Sequence, residues 1–135
     1  MEKILRFEIT DKCNQRCSMC WSTEWEHHDM KWEQIEKMII DYSELFPNGT
    51  VVLTSREPLL SPHLKKVLQL TQKLNLTVKI LTNGTLLTDD ICDLITKSSV
   101  DFVGISIHGT SEFHDNIVAI KGAFFMISNQ ILQNT

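Results

Sequence analysis

Residues 4–10 alternate along the chain, with Leu5, Phe7 and Ile9 on one face and Arg6, Glu8 and Thr10 on the other. A period of two predicts a strand with one buried and one polar face, as the lumen side of a barrel-like sheet requires. From 30 to 46 the period lengthens. Trp32, Ile35, Ile39, Tyr42 and Phe46 recur at helical spacing, with Asp29 the expected cap and Pro47-Asn48-Gly49 the stop. Residues 51–54 are a short apolar run that reads as a second strand. Ser61 is expected to cap a second helix with Pro62 at its first position and Leu64, Val67, Leu68 and Leu74 as its buried stripe. Residues 77–82 form a third predicted strand, closed by Asn83-Gly84. Thr88 then opens a third helix, with Asp89 and Asp90 at the positive end of its dipole. Residues 100–108 predict a fourth strand. A loop through Gly122 follows, and Phe124, Ile127 and Ile131 mark a last helix.

The order is strand then helix, four times over. Such alternation predicts an α/β fold, a parallel sheet with right-handed helical crossovers. No linker, low-complexity stretch or charge run divides it, so residues 1–135 are expected to form one domain. Parallel α/β architectures place their chemistry at the carboxyl ends of the strands. That rule selects residues 11–21, 55–60, 83–85 and 106–109.

Composition narrows the function classes. A chain of 135 residues, 42% hydrophobic, is long enough for a core but too short for a complete eight-unit barrel. Thirteen basic residues against seventeen acidic leave no basic stripe, which argues against a nucleic-acid partner. Charges at Glu2, Lys3, Arg6 and Glu8 predict no signal peptide, and no apolar run is long enough for a membrane span. A cytoplasmic chain is expected. Three of the four cysteines, Cys13, Cys17 and Cys20, fall within eight residues, which in a reducing compartment reads as metal binding.

C-x3-C-x2-C after a strand puts three thiolates on one tight loop. Structural zinc sites take four ligands, usually as two separated pairs, whereas Cys92 lies far along the chain in a predicted helix. Three thiolates suit an iron–sulfur cubane with one iron left open to an exogenous ligand. The alternative is a zinc-stabilised domain, its site completed by His27 or His28.

In this pattern the sequence resembles the radical S-adenosylmethionine (radical SAM) superfamily, whose signature cluster loop is C-x3-C-x2-C. The likeness is nearest in style to the molybdenum-cofactor and peptide-maturing members. Thr54-Ser55-Arg56-Glu57-Pro58-Leu59-Leu60 stands where the family carries Gly-Gly-Glu-Pro-Leu after the second strand. Thr82-Asn83-Gly84-Thr85 matches a family segment at the third strand's end, and Ser106-Ile107-His108-Gly109 matches Ser-hydrophobic-Asp-Gly with one change. His114-Asp115 matches a downstream His-Asp pair.

The resemblance implies that Cys13, Cys17 and Cys20 hold a four-iron, four-sulfur (4Fe-4S) cluster whose open iron chelates S-adenosylmethionine. A flavodoxin- or ferredoxin-type donor would supply the electron that cleaves the sulfonium, and the 5′-deoxyadenosyl radical would abstract hydrogen from a substrate that the sequence leaves unnamed. It further implies cofactor contacts at Glu57 (the methionyl amine), Ser106 (carboxylate or ribose), Met19 (beside adenine) and Asn83 (lining the site). On the fourth strand, Gly104, Ser106 and His108 share the lumen face, and Val103, Ile105 and Ile107 are expected to pack on helices.

Three departures from the family pattern bear on function. Ser55-Arg56 replaces the glycine pair whose bare backbone lets the cofactor approach; Arg56 either crowds the site or reaches the carboxylate. His108 replaces an acid and either serves the cofactor or substrate or hydrogen-bonds its neighbours. Four β-α units stand where the family barrel has six, so a partial barrel is expected, and the edge beyond the fourth strand is expected to favour self-association. A non-catalytic cluster-binding module is the alternative on that ground. Trp32 reads as core and Cys92 as a buried small hydrophobe, whereas Trp25, His27 and His28 read as a solvated loop.

Overall fold

A computed structural model describes residues 2–21 and 29–133 of the chain. Strands β1 (Ile4–Phe7), β2 (Thr50–Leu53), β3 (Thr77–Thr82) and β4 (Val100–Ile105) lie side by side in chain order, all parallel. Helices α1 (Trp32–Leu45), α2 (Leu64–Lys73) and α3 (Asp89–Thr96) make the crossovers, and α4 (Ser111–Val118) and α5 (Ala123–Gln133) follow the last strand. The predicted α/β class with a four-strand parallel sheet is the observed one.

Register sorts the side chains into two faces. Phe7, Leu53, Ile80 and Val103 form one row across the sheet, and Arg6, Val52, Lys79 and Phe102 the adjacent row. Adjacent rows point to opposite faces. The first joins Ile35 and Ile39 of α1 and Val67 and Leu68 of α2 in the core. The second carries charge, with Lys79 bridging to Glu2 at 2.8 Å. Burying an aliphatic side chain of this size contributes roughly 1.5–3 kcal/mol, so the helix-side face carries most of the stability.

Several boundaries move. β1 ends at Phe7, and Thr10 makes only an isolated antiparallel bridge to Asp29. Asp29 does not cap α1. Its carboxylate accepts from the Thr10 hydroxyl at 2.7 Å and pairs with Lys12, while Lys31 takes the cap position and its N–H donates to the Gln34 side chain. Ser61 closes a 3-10 turn (Pro58–Leu60), and α2 begins only at Leu64. Pro62 disfavours a helical residue before it, and Ser61 is accordingly extended, at ψ 129°.

β4 stops at Ile105 because its neighbour β3 ends at Thr82, and one further bond, Ser106 N–H to the Thr82 carbonyl (3.1 Å), closes the ladder. Val103 and Ile105 line an apolar groove with Ile95 of α3 and Ile131 of α5, but Ile107 lies beyond the strand and is 46% exposed instead of packed on a helix. The expected loop before the last helix contains α4. Its buried positions are His114 and Val118, so a histidine occupies one of the stripe positions by which a helix would be recognised. Its C-terminal stop is Ala119 in the left-handed region, where glycine is the usual signal. Cys92 is half-buried against the core, and Trp32 packs at its margin. Among the described residues no helix is long and apolar enough to cross a membrane.

Candidate active site

The loop after β1 runs along the carboxyl edge of the sheet and borders a cleft of about 260 Å³. Cys13, Cys17 and Cys20 line it together. Opposite them stand Thr54, Ser55 and Arg56 after β2, Asn83 after β3, and Ser106 and His108 after β4. Ser106 and His108 share one cleft, as the sequence predicts, although both lie beyond the end of β4.

Three anchors hold the cysteine loop. The N–H groups of Arg16 and Ser18 donate to the carbonyls of Val118 and Ile117 at 3.2 and 2.8 Å, satisfying the last turn of α4. The Asn14 amide donates to Thr85 Oγ1 at 2.8 Å and accepts from Asn83 Nδ2 at 2.8 Å. Glu57 N–H donates to the Lys12 carbonyl at 3.0 Å. Asn14, Thr85 and α4 were not singled out from the sequence. Asn14 lies inside the C-x3-C spacer, and Thr85 ends the Thr-Asn-Gly-Thr segment, so the motifs themselves held the signal.

Burial, and then the neighbouring Cys13 and Cys20, push the Cys17 thiol up. Three thiolates this close require a cation among them, and a bound metal reverses the shift. Gln15 is buried beside them. Its carbonyl oxygen accepts from the Cys17 thiol at 3.6 Å, while its Nε2 has no partner among the described residues. A buried amide donor at the cleft wall leaves a place for an acceptor such as a cluster sulfide.

Among the described residues no three His, Cys, Asp or Glu side chains converge as ligands of a single ion. A cubane takes each cysteine on a different iron and needs no such convergence. The donor set fits the cluster. His27 and His28, invoked for the zinc alternative, lie with Trp25 outside the described residues.

At the end of β2, Ser55 adopts φ +85°, the conformation natural to the glycine it replaces. Its hydroxyl donates to Glu8. Two residues on, Glu57 is fully buried. Its Oε1 accepts from the Thr82 hydroxyl at 2.7 Å and Leu59 N–H at 3.1 Å, and its Oε2 from Asn83 N–H at 2.8 Å. Burial pushes this carboxyl up, against the pull of the three donors. Glu57 stands behind the cleft wall, where it ties the end of β2 to the end of β3. Met19 is 54% exposed and does not line the cleft, whereas Trp21 does, with the Arg56 guanidinium 5.8 Å from its ring.

The histidine at the end of β4 is supported from behind. His108 N–H donates to Nδ1 of the buried His114 at 3.2 Å, and the two rings stack 5.5 Å apart. Burial and then His108 push His114 down, which keeps it neutral near pH 7. Asp115 turns the other way. Its carboxylate accepts from Gly122 and Phe124 N–H groups and caps α5. The His-Asp pair thus divides into a prop for β4 and a helix cap.

The model of the Radical SAM superfamily matches residues 7–127, which contain the cysteine loop and all four strand ends that border the cleft. The chain belongs to the radical SAM superfamily. It is 35% identical over 109 residues to the tungsten-containing aldehyde ferredoxin oxidoreductase cofactor-modifying protein of Pyrococcus furiosus, covering 78% of this chain and 30% of that one. It is 33% identical over 122 residues to the antilisterial bacteriocin subtilosin biosynthesis protein of Bacillus subtilis, covering 87% and 27%. The fold superposes on anSMEcpe, solved with AdoMet and the Cp18Cys peptide, with a TM-score of 0.82 at 19% identity, covering 98% of this chain and 39% of that one. The radical SAM chain described here thus spans about a third of the length of such relatives.

Proposed function

We propose that this chain is the cluster- and S-adenosylmethionine-binding part of a radical SAM enzyme. The observation that carries the reading is the meeting of all three cysteines with the ends of β2, β3 and β4 in one cleft. Cys13, Cys17 and Cys20 would hold a 4Fe-4S cluster, as their number, spacing and mutual crowding favour. When reduced by a flavodoxin- or ferredoxin-type donor, such a cluster supplies one electron that cleaves S-adenosylmethionine to methionine and a 5′-deoxyadenosyl radical, which takes hydrogen from a substrate.

The chain's own residues bind and orient. Ser106 offers a hydroxyl at the rim, and Asn83 is fixed by Asn14 and Thr85, so its amide enters the cleft pre-oriented. Glu57, fully buried behind the cleft wall, ties the ends of β2 and β3 together through Thr82 and Asn83 and so supports the cleft from behind. His108, propped by His114, faces the cofactor or its substrate.

The test is anaerobic. Reconstituted protein incubated with dithionite and S-adenosylmethionine is expected to release 5′-deoxyadenosine, read by chromatography. A fully loaded sample that forms none contradicts the reading.

A further inference from the structure

We infer that Arg56 is a cofactor-binding residue whose side chain recognises the carboxylate of S-adenosylmethionine. The inference rests on the proposed function and adds a residue and a chemistry to it. Arg56 lines the same cleft as the three cysteines. Among the described lining residues it is the one permanent cation, and none is an aspartate or glutamate.

Its acidic neighbour is turned away, since Glu57 spends its carboxylate on Thr82, Leu59 and Asn83 behind the wall. Among the described residues the cleft side of this segment therefore carries a guanidinium and no carboxylate, where a thiolate-held cluster and a carboxylate would both be anionic.

Position and support point the same way. Ser55 keeps the backbone of a glycine at φ +85°, so the segment retains its turn while the next residue gains a long cationic side chain. That side chain stacks on Trp21, the residue directly after Cys20, at 5.8 Å. A guanidinium held against an aromatic face loses less freedom on binding than a loose one, and its planar fork matches a carboxylate. Crowding, the other consequence of filling a glycine position, would instead require the side chain to block the cleft. Here it forms part of the wall.

The inference is tested by anaerobic equilibrium dialysis on cluster-loaded protein with matched iron content, comparing the unaltered chain with R56K, R56Q and R56G. S-adenosylmethionine and decarboxylated S-adenosylmethionine are the two ligands. Affinity for S-adenosylmethionine is expected to follow charge: R56K within about threefold, R56Q and R56G weaker by roughly tenfold or more. The four proteins should bind the decarboxylated ligand alike. Equal affinity of R56Q and the unaltered chain, tighter binding by R56G, or equal losses for both ligands would each overturn it. If the unaltered, loaded chain takes up no S-adenosylmethionine, the functional reading falls and this inference with it.

Discussion

Ser55 shows how far single residues could be read from the chain. Its place after β2 was legible as a departure from a glycine pair, but the consequence was not, because a sequence does not reveal whether a replaced glycine keeps its backbone angle. The structure keeps it, at φ +85°. Such a conformation costs a non-glycine residue about 1–3 kcal/mol, partly offset here by the hydroxyl's bond to Glu8. S55G is expected to fold with equal or greater stability than the parent, and S55V to fall about 1–3 kcal/mol below S55G in urea denaturation. Equal stability of the two variants would mean that the turn is not strained. Met19 and Trp21 teach a related lesson: a motif position predicts which residue should face a ligand, but loop conformation decides, and it brings Trp21 to the cleft.

At the scale of elements, β3 matches its predicted span and α3 its predicted start, because β3 is closed by Asn83-Gly84 and α3 is opened by Thr88 with two acids after it. α4 was illegible for a physical reason, since its buried stripe includes a histidine and its stop is an alanine. Yet α4 carries the cysteine loop on its last carbonyls, and Asp115 near its end caps α5. D115A is therefore expected to loosen more than α5. Amide hydrogen exchange at Arg16 and Ser18 should accelerate, and unchanged protection there would disconnect the helix from the loop. The cap is also acid-sensitive. The backbone N–H groups of Phe124 and Gly122 hold the Asp115 carboxyl below its ordinary value. Its stabilising effect is complete above that ordinary value and lost as pH falls through the lowered one.

Over the whole molecule, the β-α order and the four strand-end segments were readable without coordinates, because a parallel sheet confines its chemistry to one edge. What could not be read was how the cysteine loop is fixed there, since its anchors, Asn14 to Thr85 and Arg16 to α4, join residues 71 and more than 100 positions apart. The family assignment covers residues 7–127, and the chain spans 30% of the Pyrococcus relative's length; the function proposed for these residues is cofactor binding.

Iron and acid-labile sulfide per chain after anaerobic reconstitution test that binding most directly, measured for the parent, C17A and C92A. The parent and C92A are expected to hold roughly four of each with broad visible absorbance, and C17A little of either. One zinc per chain in place of iron, or equal loss of iron from C17A and C92A, would contradict the three-cysteine cluster site.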